Sequence, residues 1–286
     1  MMMLWKKNNL QMKNNGIIIS QKSNLYVVSV NGVNYKCRAR GKFRHNNITP
    51  LVGDKCLIDA EDKYIIDIYP RSNKLDRPPI ANVDVALIIT SVKEPNLSLN
   101  LLDRELVCIL NENIKPIICL TKLDLLNYKE RRNIKKIFKY YMSIGIEVIT
   151  NDKISKLKKL LKGKTVVLTG QTGAGKSTLI NKLDKNFNLE TNEISRALGR
   201  GVHTTRHTEI YNISGIFIAD TPGFSSLDIK IEKRRLKELY PEFRVKCKFE
   251  DCNHIREKGC RVKELVENAA ILQSRYDNYV KFWSEL

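Results

Sequence analysis

The run Gly170-Gln171-Thr172-Gly173-Ala174-Gly175-Lys176-Ser177, continued by Thr178, constrains this chain more than any other stretch. It has the form G-x-x-x-x-G-K-[ST]. An apolar segment, Val166 to Leu168, leads into it, and "STLINKL" follows with helical spacing. Strand, glycine-rich loop and helix in that order make a phosphate cradle. Glycines let backbone N–H groups wrap phosphate oxygens, and the helix N-terminus adds its dipole. Lys176 is expected on the β- and γ-phosphates and Ser177 on Mg²⁺.

The surroundings supply the sheet that such a loop requires. "VDVALIITS", "KPIICLT", "IEVIT", "KTVVLTG" and "GIFIADT" read as buried strands. They are interspersed with helical patterns such as "LNLLDRELVCILNEN" and "KERRNIKKIFKYYMSI". Strands alternating with helices predict a mostly parallel sheet covered on both faces. At the end of the last strand stands "DTPG". Asp220 there is suited to hold Mg²⁺ through a water, and the Gly223 N–H to meet a γ-phosphate. Between loop and strand lies "GRGVHTTRHTEI", where a hydroxyl of Thr204 or Thr205 could follow the γ-phosphate as a switch loop does.

The base is read further upstream. "TKLD", residues 121–124, ends another apolar strand and resembles the guanine motif [NT]-K-x-D. Asp124 would accept hydrogen bonds from guanine N1–H and the exocyclic amine, a donor pair that adenine lacks. Lys122 would lie along the base, and Thr121 opens the motif. The next strand, "IEVIT", runs into Thr150 and Asn151 where a Ser-Ala pair usually stands. The motifs thus run base reader, phosphate loop, switch loop, D-x-x-G, which is a circular permutation of the usual GTPase order. New termini on a surface can leave the same three-dimensional site.

Residues 16–70 carry five short strand-like runs, with the hairpin signal Asn31-Gly32 between two of them. A small barrel is expected, an OB-fold first and an SH3-like barrel second. Arg38, Arg40, Lys42 and Arg44 recur every second residue and would line one strand face, a candidate phosphate-binding surface. "RSNKLDRPPIANVD" reads as a linker. Near the C-terminus, Cys247, Cys252, His254 and Cys260 fall within fourteen residues. A closed set of three cysteines and one histidine suits structural zinc rather than catalysis.

The net charge of +19 points to a polyanionic partner. The sequence has neither a signal-peptide pattern nor an apolar run long enough to span a bilayer, so a cytoplasmic location with no membrane partner is expected.

Taken together, "RARGKFR", "PLVGD", "RPPIANVD", "TKLD", "GQTGAGKST", "GRGVHTTR", "DTPGF" and the Cys/His set resemble, in order and over nearly the whole chain, the circularly permuted bacterial GTPases called RsgA, YjeQ or YloQ. The resemblance implies a multidomain protein. Residues 1–73 would form an OB-fold RNA-binding barrel, 74–226 a circularly permuted α/β P-loop GTPase domain, and 227–286 an α-helical zinc-binding domain. It implies GTP or GDP, Mg²⁺ and one zinc as cofactors, the 30S subunit and its rRNA as partners, and a monomer acting in late subunit maturation. It also implies slow intrinsic turnover stimulated by the small subunit, because Phe224 stands where other GTPases orient water with glutamine. His203 is the local candidate for positioning that water, or else supports the loop. A nucleotide-gated RNA-binding protein with little turnover, or an ATP-using phosphoryl transferase, are the alternatives.

Overall fold

The structure is a computed structural model that describes residues 13–41, 43, 48–76, 79–184, 209–220 and 229–286. The chain divides into two compact units, one formed mainly by residues up to Asn82 and the other mainly by residues from Val83 onward.

The first unit is a closed five-stranded barrel. Its strands are β1 (Lys13–Lys22), β2 (Leu25–Val30), β3 (Val33–Ala39), β4 (Lys55–Asp59) and β5 (Tyr64–Ile68). They pair in the order β1-β2-β3-β5-β4, and β1 closes back on β4. The β3–β5 pair is parallel and the other pairs in the ring are antiparallel. This is the Greek-key barrel of the OB-fold. Alternation decides which face is inward: Tyr26, Val28 and Val30 of β2 are buried, as are Ile18, Cys37, Cys56, Ile58 and Ile65. The turn at Asn31-Gly32, both with positive φ, joins β2 to β3 as the sequence predicts.

Two readings of this region are corrected. β3 ends at Ala39, and the Phe43 N–H bonds back to the Arg40 carbonyl, so the chain has turned. Arg38 and Arg40 are exposed, but no continuous strand carries a four-cation stripe through residue 44; Lys42 and Arg44 lie outside the described residues. Phe43 is in the core, 3% exposed. The segment read as a linker instead forms an antiparallel ribbon of β6 (Lys74–Asp76) and β7 (Pro79–Ala81). Arg71 forks the buried Asp54 carboxylate at 2.7 and 2.8 Å, and Asn82 donates to the Gly53 carbonyl. Gly53 has φ +88°, and a Cβ there would collide with the Ala81 carbonyl. "PLVGD" is therefore the seat of this ribbon, and the compact unit continues past residue 73.

The second unit is built on parallel strands β8 (Val85–Ser91), β9 (Lys115–Thr121), β10 (Glu147–Thr150), β11 (Thr165–Thr169) and β13 (Ile216–Asp220), in the order β10-β9-β8-β11-β13. All four pairings are parallel. A short strand β12 (Glu209–Ile213), not foreseen from the sequence and assigned to the first unit through Tyr211, leads into β13 through Ser214-Gly215. Val85 to Ile89, Ile117 to Leu120 and Val166 to Leu168 are buried, because a parallel sheet is covered on both faces. Helices α1 (Leu99–Asn111), α2 (Tyr128–Ser143), α3 (Ile154–Leu161) and α4 (Lys176–Leu183) provide that cover. Ser98 caps α1, and Asn127 with Glu130 forms a capping box on α2.

The C-terminal residues share a core with α1 rather than standing alone. Val107 of α1 is buried with Leu236, Tyr240, Phe243, Cys252, Cys260, Val262, Tyr279 and Phe282. Helices α5 (Arg261–Glu267) and α6 (Gln273–Glu285) supply the last three of these. At this seam Arg275, 1% exposed, donates to Asp103 at 2.8 Å and to Glu242 at 2.7 Å. Asp103 also accepts from Tyr141 at 2.7 Å and Asn278 at 2.6 Å. Burial and its two carboxylate partners oppose each other at Arg275; the partners win, and its pKa is raised. Replacing Arg275 with Leu strands two buried carboxylates, so the chain should lose about 3–5 kcal/mol of stability. Denaturation followed by fluorescence of Trp283, which packs on this cluster, would measure the loss; an unchanged midpoint would contradict it.

Candidate active site and metal centre

Parallel pairing puts the carboxyl ends of β8, β9, β10, β11 and β13 on one edge of the sheet. Ser91, Thr121, Thr150, Thr169 and Asp220 are their last residues. Loops leaving that edge meet regardless of their order in the chain. The "TKLD" motif leaves β9 and the glycine-rich loop leaves β11, with β8 between them. They touch: the buried Thr121 hydroxyl donates to the Ala174 carbonyl at 2.7 Å. The first residue of "TKLD" thus holds the middle of "GQTGAGKST".

Gly170 has φ +124°, and a Cβ on it would collide with the Ile89 carbonyl. Glycine is required there by close approach as well as by conformation. Gly173 and Gly175 also have positive φ, and α4 begins at Lys176. The Lys176 ammonium donates to the carbonyls of Gly170 and Gln171 at 2.6 and 2.9 Å. Partial burial lowers its pKa, against the pull of nearby Glu105. Ser177 and Thr178 stand in the first turn of α4. Lys122 has a left-handed backbone, φ +58°, and its ammonium donates to the Glu94 carbonyl. Asp124 is in the 3₁₀ turn Leu123–Leu125 and is exposed. Thr150 and Asn151 sit beside this motif, and the Asn151 N–H donates to the Leu120 carbonyl at 2.9 Å.

Beneath the loop lies a residue that the sequence did not single out. Glu105 of α1 is 4% exposed and accepts from the Thr169 hydroxyl at 2.6 Å. Burial pushes its carboxyl up to about 7, although Thr169, Lys176 and the Gly170 N–H pull the other way.

The second constellation is the Cys/His set. Sγ of Cys247, Cys252 and Cys260 and Nδ1 of His254 all lie within 4.8 Å of one another. The contacts to Nδ1 are 3.6, 3.5 and 3.3 Å, and Cys247 and Cys260 are 4.0 Å apart. Tetrahedral zinc with bonds of about 2.3 Å to sulfur and 2.0 Å to nitrogen needs ligand atoms roughly 3.5–3.8 Å apart. The donors match a tetrahedral zinc site in number and kind, and the contacts to Nδ1 lie close to its spacing. The loop is braced from behind. Glu257 accepts from the N–H groups of Asn253, Ile255 and Arg256, while Tyr276 and Tyr279 donate to the carbonyls of His254 and Asn253. Such outer contacts hold metal ligands in place.

The RsgA GTPase family model matches residues 68–230, and the RsgA N-terminal domain model matches residues 15–65. The chain belongs to the RsgA GTPase family. It is 46% identical over 281 residues to a Listeria monocytogenes protein named small ribosomal subunit biogenesis GTPase RsgA 1, covering 95% of this chain and 97% of that one. An Enterococcus faecalis RsgA is 44% identical, with 92% of each chain covered. Among solved structures, YloQ, described as a circularly permuted GTPase, matches with TM-score 0.82 at 37% identity, covering 97% of this chain and 96% of that one. YjeQ from Thermotoga maritima matches with TM-score 0.83 at 33% identity, covering 96% and 99%. The permuted order read from the motifs is the order of this RsgA fold.

Of the residues read from the sequence, the fold brings Thr121, Lys122, Asp124 and Gly170 to Thr178 to one sheet edge, and gathers Cys247, Cys252, His254 and Cys260 into one cluster. Asp220 ends β13 on the same edge, but its side chain lies outside the described residues, as do His203, Thr204, Thr205, Gly223 and Phe224. Glu105 and Thr169 were missed. The one signal available was a glutamate at an otherwise apolar position of "LNLLDRELVCILNEN".

The Glu105 carboxyl titrates above its unfolded value of 4.5. Its contribution to stability is therefore present at low pH and is lost as pH rises through about 7. Glu105→Gln does not ionise. In nucleotide-free protein its stability relative to the parent should rise between pH 5 and pH 8, by up to about 3 kcal/mol. Urea denaturation at both pH values checks this; a pH-independent difference would contradict it.

Proposed function

We propose that this protein is a GTPase of small-subunit assembly that binds rRNA of the 30S subunit, hydrolyses GTP to GDP with stimulation by that subunit, and acts late in its maturation. The observation that carries the reading is the Thr121–Ala174 hydrogen bond, which joins a guanine-type motif to a phosphate loop at one sheet edge. The names of the relatives supply the ribosomal part.

In this reading the N–H groups of residues 170–178 and the Lys176 ammonium hold the phosphates. Asp124 reads guanine, with Thr121 and Lys122 shaping its loop. Ser177 and Asp220 are the residues to hold Mg²⁺, which supplies charge neutralisation at the phosphates when bound. Thr204, Thr205 and Gly223 would follow the γ-phosphate, and His203 would orient the attacking water. Three functional parts are proposed: an rRNA-binding barrel in 1–73, the GTPase in 74–226 and a zinc-binding helical part in 227–286.

The barrel offers an open groove of about 1130 Å³ whose lining includes Lys22, Arg38, Arg40 and the exposed Tyr64. Cations with aromatic rings suit a single-stranded nucleic acid, by phosphate contact and base stacking. The net charge of +19 supports the same partner. No helix among the described residues is long and apolar enough to cross a membrane. A cytoplasmic monomer is the proposed working form.

Turnover of GTP by the purified chain should be slow alone and should rise at least tenfold with 30S subunits but not with 50S subunits. Tight GTP binding without stimulation would instead favour a nucleotide-gated RNA-binding protein. Zinc should copurify at close to one ion per chain, and Cys260→Ser should lose most of it and melt at lower temperature. Elemental analysis of the two proteins decides this; equal zinc content would remove Cys260 from the site.

A further inference from the structure

Helix α1 has two engaged faces. Asp103 and Glu105 are two residues apart, hence on nearly opposite sides of a helix. On one side, Asp103 takes three hydrogen bonds, two of them from Arg275 and Asn278 of α6. Asn100 donates to Asn278 at 2.7 Å, and Arg104 pairs with Glu285 at 2.6 Å while its guanidinium lies 4.5 Å over the Phe282 ring. These contacts fix the rotation of α1 about its own axis. On the other side, Glu105 meets the start of the glycine-rich loop.

There the Glu105 carboxylate accepts from the Thr169 hydroxyl and from the Gly170 N–H. The Gly170 carbonyl accepts from Lys176. On the side of β8 there is no room even for a Cβ on this residue, which would collide with the Ile89 carbonyl. The first peptide of the loop is thus held on several sides. Burying a carboxylate is costly, and an apolar residue would fill this part of α1 at less cost. A buried acid beside a phosphate loop therefore points to function rather than to packing.

We propose that Glu105 is a positioning residue for nucleotide binding, setting the first peptide of the loop 170–177 so that its N–H groups converge on the phosphates, with α1 held in register by the C-terminal helix α6. Glu105 does not itself touch nucleotide. The inference rests on reading 170–177 as the phosphate loop, and the test separates the two.

Full-length protein would be titrated with GDP by calorimetry, with folding checked by circular dichroism and melting temperature. Glu105→Ala should weaken GDP binding by on the order of tenfold or more, as loss of a supporting contact behind a ligand group does. Glu105→Gln keeps an oxygen acceptor and should recover most of that loss. Thr169→Val should weaken binding by a smaller factor, and its effect should be less than additive with Glu105→Ala. A folded Glu105→Ala protein that binds GDP within twofold of the parent overturns the inference. Equal defects in Ala and Gln variants overturn it too, because they indicate a need for charge. If Glu105→Ala does not fold, Thr169→Val decides: unchanged affinity overturns the proposal and threefold or greater weakening supports it. Lys176→Ala is the separate control. If it binds GDP normally, the phosphate-loop reading fails; if it loses GDP while Glu105→Ala does not, only the role of Glu105 fails.

Discussion

The hydrogen bond from Thr121 to the Ala174 carbonyl is short, buried and long-range in sequence, and the proposed nucleotide site depends on it. Neither motif alone defines a GTP site: a phosphate loop takes any nucleoside triphosphate, and a guanine reader without phosphate contacts has little affinity. Parallel pairing of β8, β9, β10, β11 and β13 makes the contact possible. All their carboxyl ends face one way, so spatial order in the sheet, not order in the chain, decides which loops meet. Circular permutation changes only where the chain is cut.

A second constraint is carried by α1. It covers the sheet, contributes Val107 to the C-terminal core, and buries an acid toward each neighbour. The Asp103–Arg275–Glu242 group is fully desolvated, which is tolerable only because nearly every lone pair and proton has a partner. The Cys/His cluster belongs to the same core, since Cys252 and Cys260 pack with Phe243 and Tyr279. The Cys/His cluster and the packing behind α1 are therefore parts of one structure.

Much of this was legible in the sequence. Continuous apolar runs such as "VALIITS" and "KPIICLT" announced buried parallel strands, and Asn31-Gly32 announced a hairpin. The phosphate loop and the Cys/His set could be read because each packs its chemistry into consecutive residues. What was not legible depended on tertiary contact. "RSNKLDRPPIANVD" has the composition of a linker, and only Arg71 on Asp54 and Asn82 on Gly53 make it a ribbon seated on the barrel. The alternation Arg38, Arg40, Lys42, Arg44 has strand period, but the turn after Ala39 ends the strand. Glu105 and Thr169 are 64 residues apart, and no local pattern pairs them.

Competition for bound GDP tests most directly whether the two motifs make one guanine-specific site. Unlabelled GDP should displace a fluorescent GDP from the parent protein, whereas ADP should fail at a hundredfold excess. Asp124→Asn should abolish that discrimination while leaving phosphate binding through Lys176 in place. Displacement by ADP as readily as by GDP from the parent protein would contradict the reading: the phosphate loop would then be acting without the motif that Thr121 ties to it.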